Sequence, residues 1–249
     1  RCLLNPHFTV LLLLFDIDGT LTDTEADDAR LFRQALCDVV EGGEPEVGPR
    51  ESYAEATNAA MVRTILGQLL GRPAREIEVM AVHGRYVELW SKAVESGEIV
   101  IRPVPGAPEI LAAARRREDV VTAVYSGSWL QDAGIKLAIG GFDLDELAVA
   151  TCDDSERLSG IMNTAGIYAQ AAAGVPGFSD TVVVGDGVWD AKAARAIGAG
   201  MVGRAEDPER AAALRRAGAA AVVGDFNDIE GFWNAVETAR RAPRSQAGN

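Results

Sequence analysis

Six consecutive apolar residues, 10–15 (VLLLLF), run straight into Asp16, Ile17, Asp18, Gly19 and Thr20. A short unbroken apolar run bounded by turn residues predicts a strand buried on both faces, as in a parallel sheet. The period then changes. Thr24 stands as a helix cap with Glu25, Asp27 and Asp28 in the first turn, where they suit the dipole. Leu31, Phe32, Ala35, Leu36, Val39 and Val40 follow on one helical face, until EGGEPEVGP (41–49) breaks the pattern. A second helix is expected over 58–70, with Val62, Ile65, Leu66, Leu69 and Leu70 as its stripe. A third is expected over 74–96, carrying Ile77, Met80, Ala81, Val87, Trp90 and Val94. Residues 23–98 therefore read as all-helical.

From 99 onward strands return. A Pro-rich crossing (99–108) leads to a helix over 108–117 with Pro in its first turn, and then to VVTAVY (120–125), which ends in Ser126-Gly127-Ser128. A helix over 129–137, a weak strand over 147–151 and a helix over 159–173 precede the second clear apolar strand, TVVVGDGVWD (181–190), which also ends in acids. Helices over 191–197, 208–217 and 229–239 alternate with strands over 200–202 and 220–223, and 243–249 reads as a loose tail.

Strands alternating with helices predict an α/β fold with a doubly wound parallel sheet, formed by 1–22 and 99–249, with 23–98 as an inserted helical domain. Right-handed crossovers bring the C-terminal ends of all strands to one edge, and ligands bind outside that edge where strand order reverses. Asp16, Asp18, Ser126, Asp186 and Asp190 all fall at predicted strand C-termini. The insert leaves the sheet just after the first two acids, so it is expected to hang over them as a lid.

Composition narrows the classes. At 249 residues with 48% hydrophobic and 24% charged residues, the chain suits one α/β core with a smaller inserted domain. A net charge of −13 argues against a nucleic acid backbone or an anionic membrane as partner. The three cysteines, Cys2, Cys37 and Cys152, have no close spacing and suit a reducing, cytoplasmic setting. The N-terminal apolar run is short, lacks a small-residue cleavage site and ends in acids, so a core strand is expected there rather than a signal peptide. The two histidines, His7 and His83, lie away from predicted strand ends, which disfavours both a zinc cluster and a Ser/His/Asp triad. No GxxxxGK[ST] loop occurs, and no GxGxxG follows the first strand.

Several carboxylates at one sheet edge repel one another unless a cation joins them. A hard divalent ion with oxygen ligands gives the usual relief, and Mg²⁺ fits a few carboxylates with waters and a substrate phosphate. A carboxylate so held can act as a nucleophile, and a second nearby can move the proton. Asp16 and Asp18, two apart in an extended strand, share a face. The Ser126 hydroxyl and the Gly127 amide can bond the oxygens of a transferring phosphoryl group. Metal-assisted phosphoryl transfer through an aspartyl phosphate is the chemistry expected.

The motifs resemble those of the haloacid dehalogenase superfamily, in its phosphatase branch with a helical cap. DxDGT is Asp16-Ile17-Asp18-Gly19-Thr20, the second-motif hydroxyl is Ser126 in VYSGS, and GDxxxD is Gly185 through Asp190. PGAPEIL (105–111) looks like that family's return from cap to core. The resemblance implies Asp16 as nucleophile, Asp18 as general acid/base, and a Mg²⁺ held by Asp16, Asp186 and the backbone carbonyl of Asp18, with Asp190 acting through water. It implies phosphoester rather than carbon–halogen chemistry, because dehalogenases of the superfamily lack a carboxylate at the place of Asp18. The third motif departs. Relatives carry a Lys before the helix leading to GDxxxD, yet none of the three lysines, Lys92, Lys136 and Lys192, lies there in sequence, and Arg157 in DDSERLSGIM is the nearest cation. Thr57 and Arg63 are expected on the cap, with Arg63 on a solvated face, an approach of both to the substrate being the alternative. A phosphatase of a small phosphorylated metabolite (phosphoglycolate, a sugar phosphate or a nucleotide) is thus expected. A phosphomutase of the β-phosphoglucomutase type shares every core residue, and a receiver-like phospho-acceptor or a non-catalytic binding protein is the remoter alternative.

Overall fold

Strand β1 (Leu11–Phe15) lies inside a sheet of six parallel strands in the order β3-β2-β1-β4-β5-β6, the others being β2 (Val120–Tyr125), β3 (Val149–Ala150), β4 (Asp180–Gly185), β5 (Gly200–Arg204) and β6 (Ala221–Val223). The computed structural model describes residues 9–40 and 45–242. The expected tail over 243–249, together with Cys2, His7 and residues 41–44 of the 41–49 breaker, lies outside them. Every residue of β1 is buried, because successive side chains enter opposite layers. Leu12 and Leu14 join the core formed with α6 (Leu158–Ala173) and α7 (Val188–Ala196). Leu11, Leu13 and Phe15 join the one formed with α4 (Ala107–Arg115) and α9 (Ile229–Arg241). Each such side chain contributes about 1.5–3 kcal/mol on burial. Phe15 also stacks on Phe232 with ring centroids 6.2 Å apart.

The order of strands reverses at β1, which pairs with β2 on one side and β4 on the other. Phe15 is in register with both Val124 and Val184, so the residues that follow each strand emerge together at one edge. Between β1 and β2 the described residues hold α1 (Glu25–Val39), a 3₁₀ turn at Arg50–Ser52, α2 (Asn58–Leu70), α3 (Glu76–Glu95) and α4, with no strand. The chain leaves and rejoins the core at one place. The Asp23 amide donates to the Arg102 carbonyl at 2.9 Å, and the Val104 amide to that of Leu21 at 2.9 Å.

Several sequence expectations shift, and on α2 Leu69 and Leu70 are exposed while Val62, Ile65 and Leu66 are buried. Thr24 occupies the N-cap position of α1 but makes no side-chain cap bond, its hydroxyl being turned to donate to Asp18. On α3, Ile77 is 64% and Met80 58% exposed, while Val79, Val82, Tyr86, Leu89, Trp90 and Ala93 face inward. The buried face follows the aromatic rings with polar partners: the Tyr86 hydroxyl bonds Asp28, and Trp90 packs on a buried ammonium. Helix α7 starts at Val188 rather than 191, since the Asp190 carboxylate turns back to accept from the Gly187 amide at 2.8 Å. Helices α5 (Leu130–Ile139) and α8 (Pro208–Ala217) complete the order. Among the described residues, no helix is long and apolar enough to cross a membrane.

Candidate active site

Asp16 follows β1 directly and is fixed by its amide, which donates to the Val184 carbonyl of β4 at 2.9 Å. Two residues on, the chain turns: the amides of Thr20, Leu21 and Thr22 all converge on the Ile17 carbonyl. Gly19 makes that turn possible, with φ +73°, and a Cβ there would stand 2.0 Å from Asp186 Oδ2. Only glycine meets both conditions. The turn thereby presses the β1 acids against those after β4.

Asp16, Asp186 and Asp190 are all buried, and one carboxylate oxygen from each lies within 4.8 Å of the others. Burial, and then the charges of Asp190 and Asp186, hold the Asp16 carboxyl well above its ordinary range. Burial likewise pushes Asp190 up to about 6. Asp190 Oδ1 is buried with no hydrogen-bond partner. Three buried carboxylates with an oxygen left unpartnered fit a hard cation. Asp186 has one counter-charge already. Arg210, near the start of α8, reaches Asp186 Oδ2 at 2.5 Å and grips Glu25 of α1 through both carboxylate oxygens, at 2.6 and 2.7 Å.

Asp18 turns away from this trio. Its Oδ1 accepts from the Thr24 hydroxyl at 2.6 Å, and the Lys136 ammonium lies 2.9 Å from the carboxylate. Lys136, on α5, is fully buried and also reaches Asp28 at 2.5 Å, Asp132 at 3.1 Å and the Ser128 hydroxyl at 3.2 Å. Its Nζ lies 4.9 Å from the Trp90 ring centre. Burial raises the Asp18 carboxyl, against the pull of Lys136. Burial drives Asp132 up to about 7. Burial would raise Asp28 as well, but Lys136 and Arg50 outweigh it and leave that carboxyl below its usual range.

The cation against Asp18 is therefore Lys136, and Arg157 is not brought to the acids. Arg157 stands exposed at the start of α6, outside the cavity. Its segment serves another contact: the Glu156 carboxylate takes Arg63 at 2.5 Å and its carbonyl takes the Thr57 hydroxyl at 2.7 Å. Lys136 lies far from the position of the usual motif-three Lys, so family spacing pointed elsewhere. The available signal was helical: Lys136 shares a face with Asp132, Ala133 and Leu137, all buried.

Ser126 and Gly127, at the end of β2, line a cavity of about 220 Å³ together with Asp16, Asp18, Asp186 and Asp190. The Ser126 hydroxyl accepts from the Ser128 amide at 3.1 Å, and the Gly127 carbonyl accepts from the Asn58 amide at 2.7 Å. A Cβ on Gly127 would sit 2.9 Å from the Ala56 carbonyl, so the loop before α2 closes directly over this turn. Arg50 enters the cavity from that loop, donating to the Ala56 carbonyl at 2.9 Å and to Asp28 at 3.1 Å, with its guanidinium 5.9 Å from the Trp189 ring centre. Sequence reading missed Arg50, because it lies in an irregular stretch where no period marks an inward face.

Solved structures share this fold. A hydrolase from Pseudomonas syringae is 22% identical, with 90% of this chain and 98% of that chain covered at a TM-score of 0.66. A Bacteroides vulgatus protein described as a β-phosphoglucomutase is 20% identical, covering 95% and 93% at 0.67. A Haemophilus somnus 129pt protein described as a phosphoglycolate phosphatase is 18% identical, covering 92% and 100% at 0.59. At these identities the likeness shows the fold. No curated protein matches the sequence. The family model described as haloacid dehalogenase-like hydrolase matches residues 10–198, from the strand before Asp16 to beyond Asp190. With the acids of both motifs meeting at one sheet edge, this chain is an enzyme and belongs to the haloacid dehalogenase-like hydrolases.

Proposed function

We propose that this hydrolase is a Mg²⁺-dependent phosphatase of a small phosphate monoester, with residues 23–98 as a cap above the sheet edge. One observation carries it: Asp16, Asp186 and Asp190 converge within 4.8 Å while Asp18, beside them, is held separately by Thr24 and Lys136. That arrangement divides an attacking carboxylate from a proton-moving one.

Asp16, Asp186 and the Asp18 carbonyl would hold the ion, with Asp190 acting through water. The ion supplies positive charge that keeps Asp16 ionised beside its neighbours and offsets the charge of the incoming phosphate. Asp16 attacks phosphorus, and the bond from phosphorus to the ester oxygen breaks. Asp18 gives its proton to that departing oxygen. Asp18 then takes a proton from water as the water oxygen bonds to phosphorus, releasing orthophosphate and restoring Asp16. The Ser126 hydroxyl and Gly127 amide are placed for the equatorial oxygens, and Lys136 fixes the Asp18 carboxyl. A small phosphorylated metabolite suits a cavity of about 220 Å³, and the free thiols Cys37 and Cys152 suit a cytoplasmic setting.

Phosphate release from a panel of small monoesters with Mg²⁺ tests this. Release from at least one, abolished by chelation, is expected, and none from any would overturn it. Isomerisation of a sugar phosphate without phosphate release would assign a mutase instead, the activity named for the Bacteroides vulgatus structure. In the same assay Arg157→Ala stays within about twofold of wild type, because its side chain lies in solvent outside the cavity. A tenfold loss would return Arg157 to the phosphate.

The buried acids also give a pH-dependent stability. In the fold burial pushes Asp190 up to about 6 and Asp132 up to about 7, both above the ordinary carboxylate range. The native state thus keeps protons that the unfolded chain releases, and the metal-free protein loses stability as pH rises from about 4 to about 7. Added Mg²⁺ should raise the melting temperature more at pH 7 than at pH 5. An equal shift at both would mean that the acid trio is not where the ion binds.

A further inference from the structure

Asp28 lies three residues into α1, is 3% exposed, and takes no part in the chemistry set out above. Its two oxygens face two different cations. Oδ2 accepts from Arg50 at 3.1 Å, the cation that the loop before α2 sends into the cavity. Oδ1 accepts from Lys136 at 2.5 Å and from the Tyr86 hydroxyl of α3. Lys136 passes the connection on to Asp18 at 2.9 Å. A buried carboxylate gives up its hydration, so its placement is set by partners rather than by solvent.

We propose that Asp28 is a positioning residue shared by both halves of the site, aiming Arg50 into the cavity through one oxygen and seating Lys136 against Asp18 through the other. Asp28 lines the cavity, but both of its oxygens are taken by Arg50, Lys136 and Tyr86. It acts through Arg50 on binding and through Lys136 on the acid/base. This role rests on the phosphatase reading for its kinetic expression but not for its geometry. Asn at position 28 keeps the shape and removes the charge. The remaining Lys136 is still matched by Asp18 and Asp132, so the fold is expected to hold.

Asp28→Asn should raise KM about tenfold and lower kcat about tenfold, the scale of losing one charge-assisted hydrogen bond on each side. The deciding measurement repeats Asp28→Asn in an Arg50→Met background. The KM effect should vanish there, because its carrier is gone, while the kcat effect persists. A role in stability alone would give the same factors in both backgrounds and overturn the proposal, as would a change below twofold in both parameters. Should Asp28→Asn fail to fold, Tyr86→Phe frees Oδ1 of one donor with all charges in place. It should then lower kcat about threefold with KM unchanged, and an unchanged kcat would overturn the proposal. Should wild type release no phosphate at all, the phosphatase reading falls. Calorimetric binding of inorganic phosphate with Mg²⁺ then decides: Asp28→Asn weakens it about tenfold with Arg50 present and not in Arg50→Met, and equal weakening in both overturns the assignment.

Discussion

Asp16→Asn should abolish phosphate release, lowering kcat by at least ~10⁴-fold, while making the metal-free protein harder to melt. The two effects have one cause. Asp16 is the carboxylate that would bond to phosphorus, and an amide in its place is no nucleophile. It is also one of three buried acids sharing a space 4.8 Å across, each repelling the others. Removing one charge relieves that repulsion, and each kcal/mol gained raises the melting temperature by about 2–4 °C in a chain of this size. Thermal unfolding with and without Mg²⁺, beside a turnover assay, reads both. The variant should also lose most of the Mg²⁺-dependent rise in melting temperature. Turnover within tenfold of wild type would remove Asp16 from the nucleophile's role.

Lys136→Met should be the most destabilising single change in the site. The ammonium is fully buried and lies within 3.1 Å of Asp18, Asp28 and Asp132. Removing the cation of a buried cluster leaves acids uncompensated, at a cost of about 3–5 kcal/mol. The melting temperature should fall by roughly 6–20 °C. The deficit should be smaller at pH 5 than at pH 7.5, because Asp132, at about 7, then carries a proton. The kcat should fall by about 10²-fold or more, since Asp18 loses the group that seats it. Lys136→Arg is not expected to rescue either property: the planar guanidinium is larger than the ammonium and the site has no space for it. A melting temperature within 2 °C of wild type would show that the acids find their balance elsewhere.

The sheet and the acid positions were legible because they obey short-range rules. An apolar run of six ending in Asp-x-Asp can hardly be other than a buried strand meeting solvent, and TVVV before Gly185 reads the same way. Asp16, Asp18, Asp186 and Asp190 could accordingly be placed at one edge before any coordinates. What stayed hidden depends on distant partners. Lys136 looks like an ordinary helical lysine until Asp18 and Asp28, more than 100 residues earlier in the chain, close around it. Arg50 carries no period at all. The α3 stripe misled because hydropathy ranks Ile77 and Met80 above Tyr86, although only the tyrosine has a buried acid to meet. Thr24 stands at the cap position that its sequence predicts, but its side chain is turned to donate to Asp18 and its oxygen does not meet the helix amides.

The junction at Asp23 and Arg102 bears on how such an enzyme can change. Because those residues are hydrogen-bonded at 2.9 Å, everything between them starts and stops at a single point on the sheet. A segment pinned at both ends in this way can vary in its far parts without altering strand register. Its departure and return meet at an antiparallel bridge between Thr22 and Pro103, and just beyond it Thr24 and Asp28 reach back to Asp18 and Lys136. Selection can thus rework the far parts of the segment, while the stretch nearest the junction stays bound to Asp18 and Lys136.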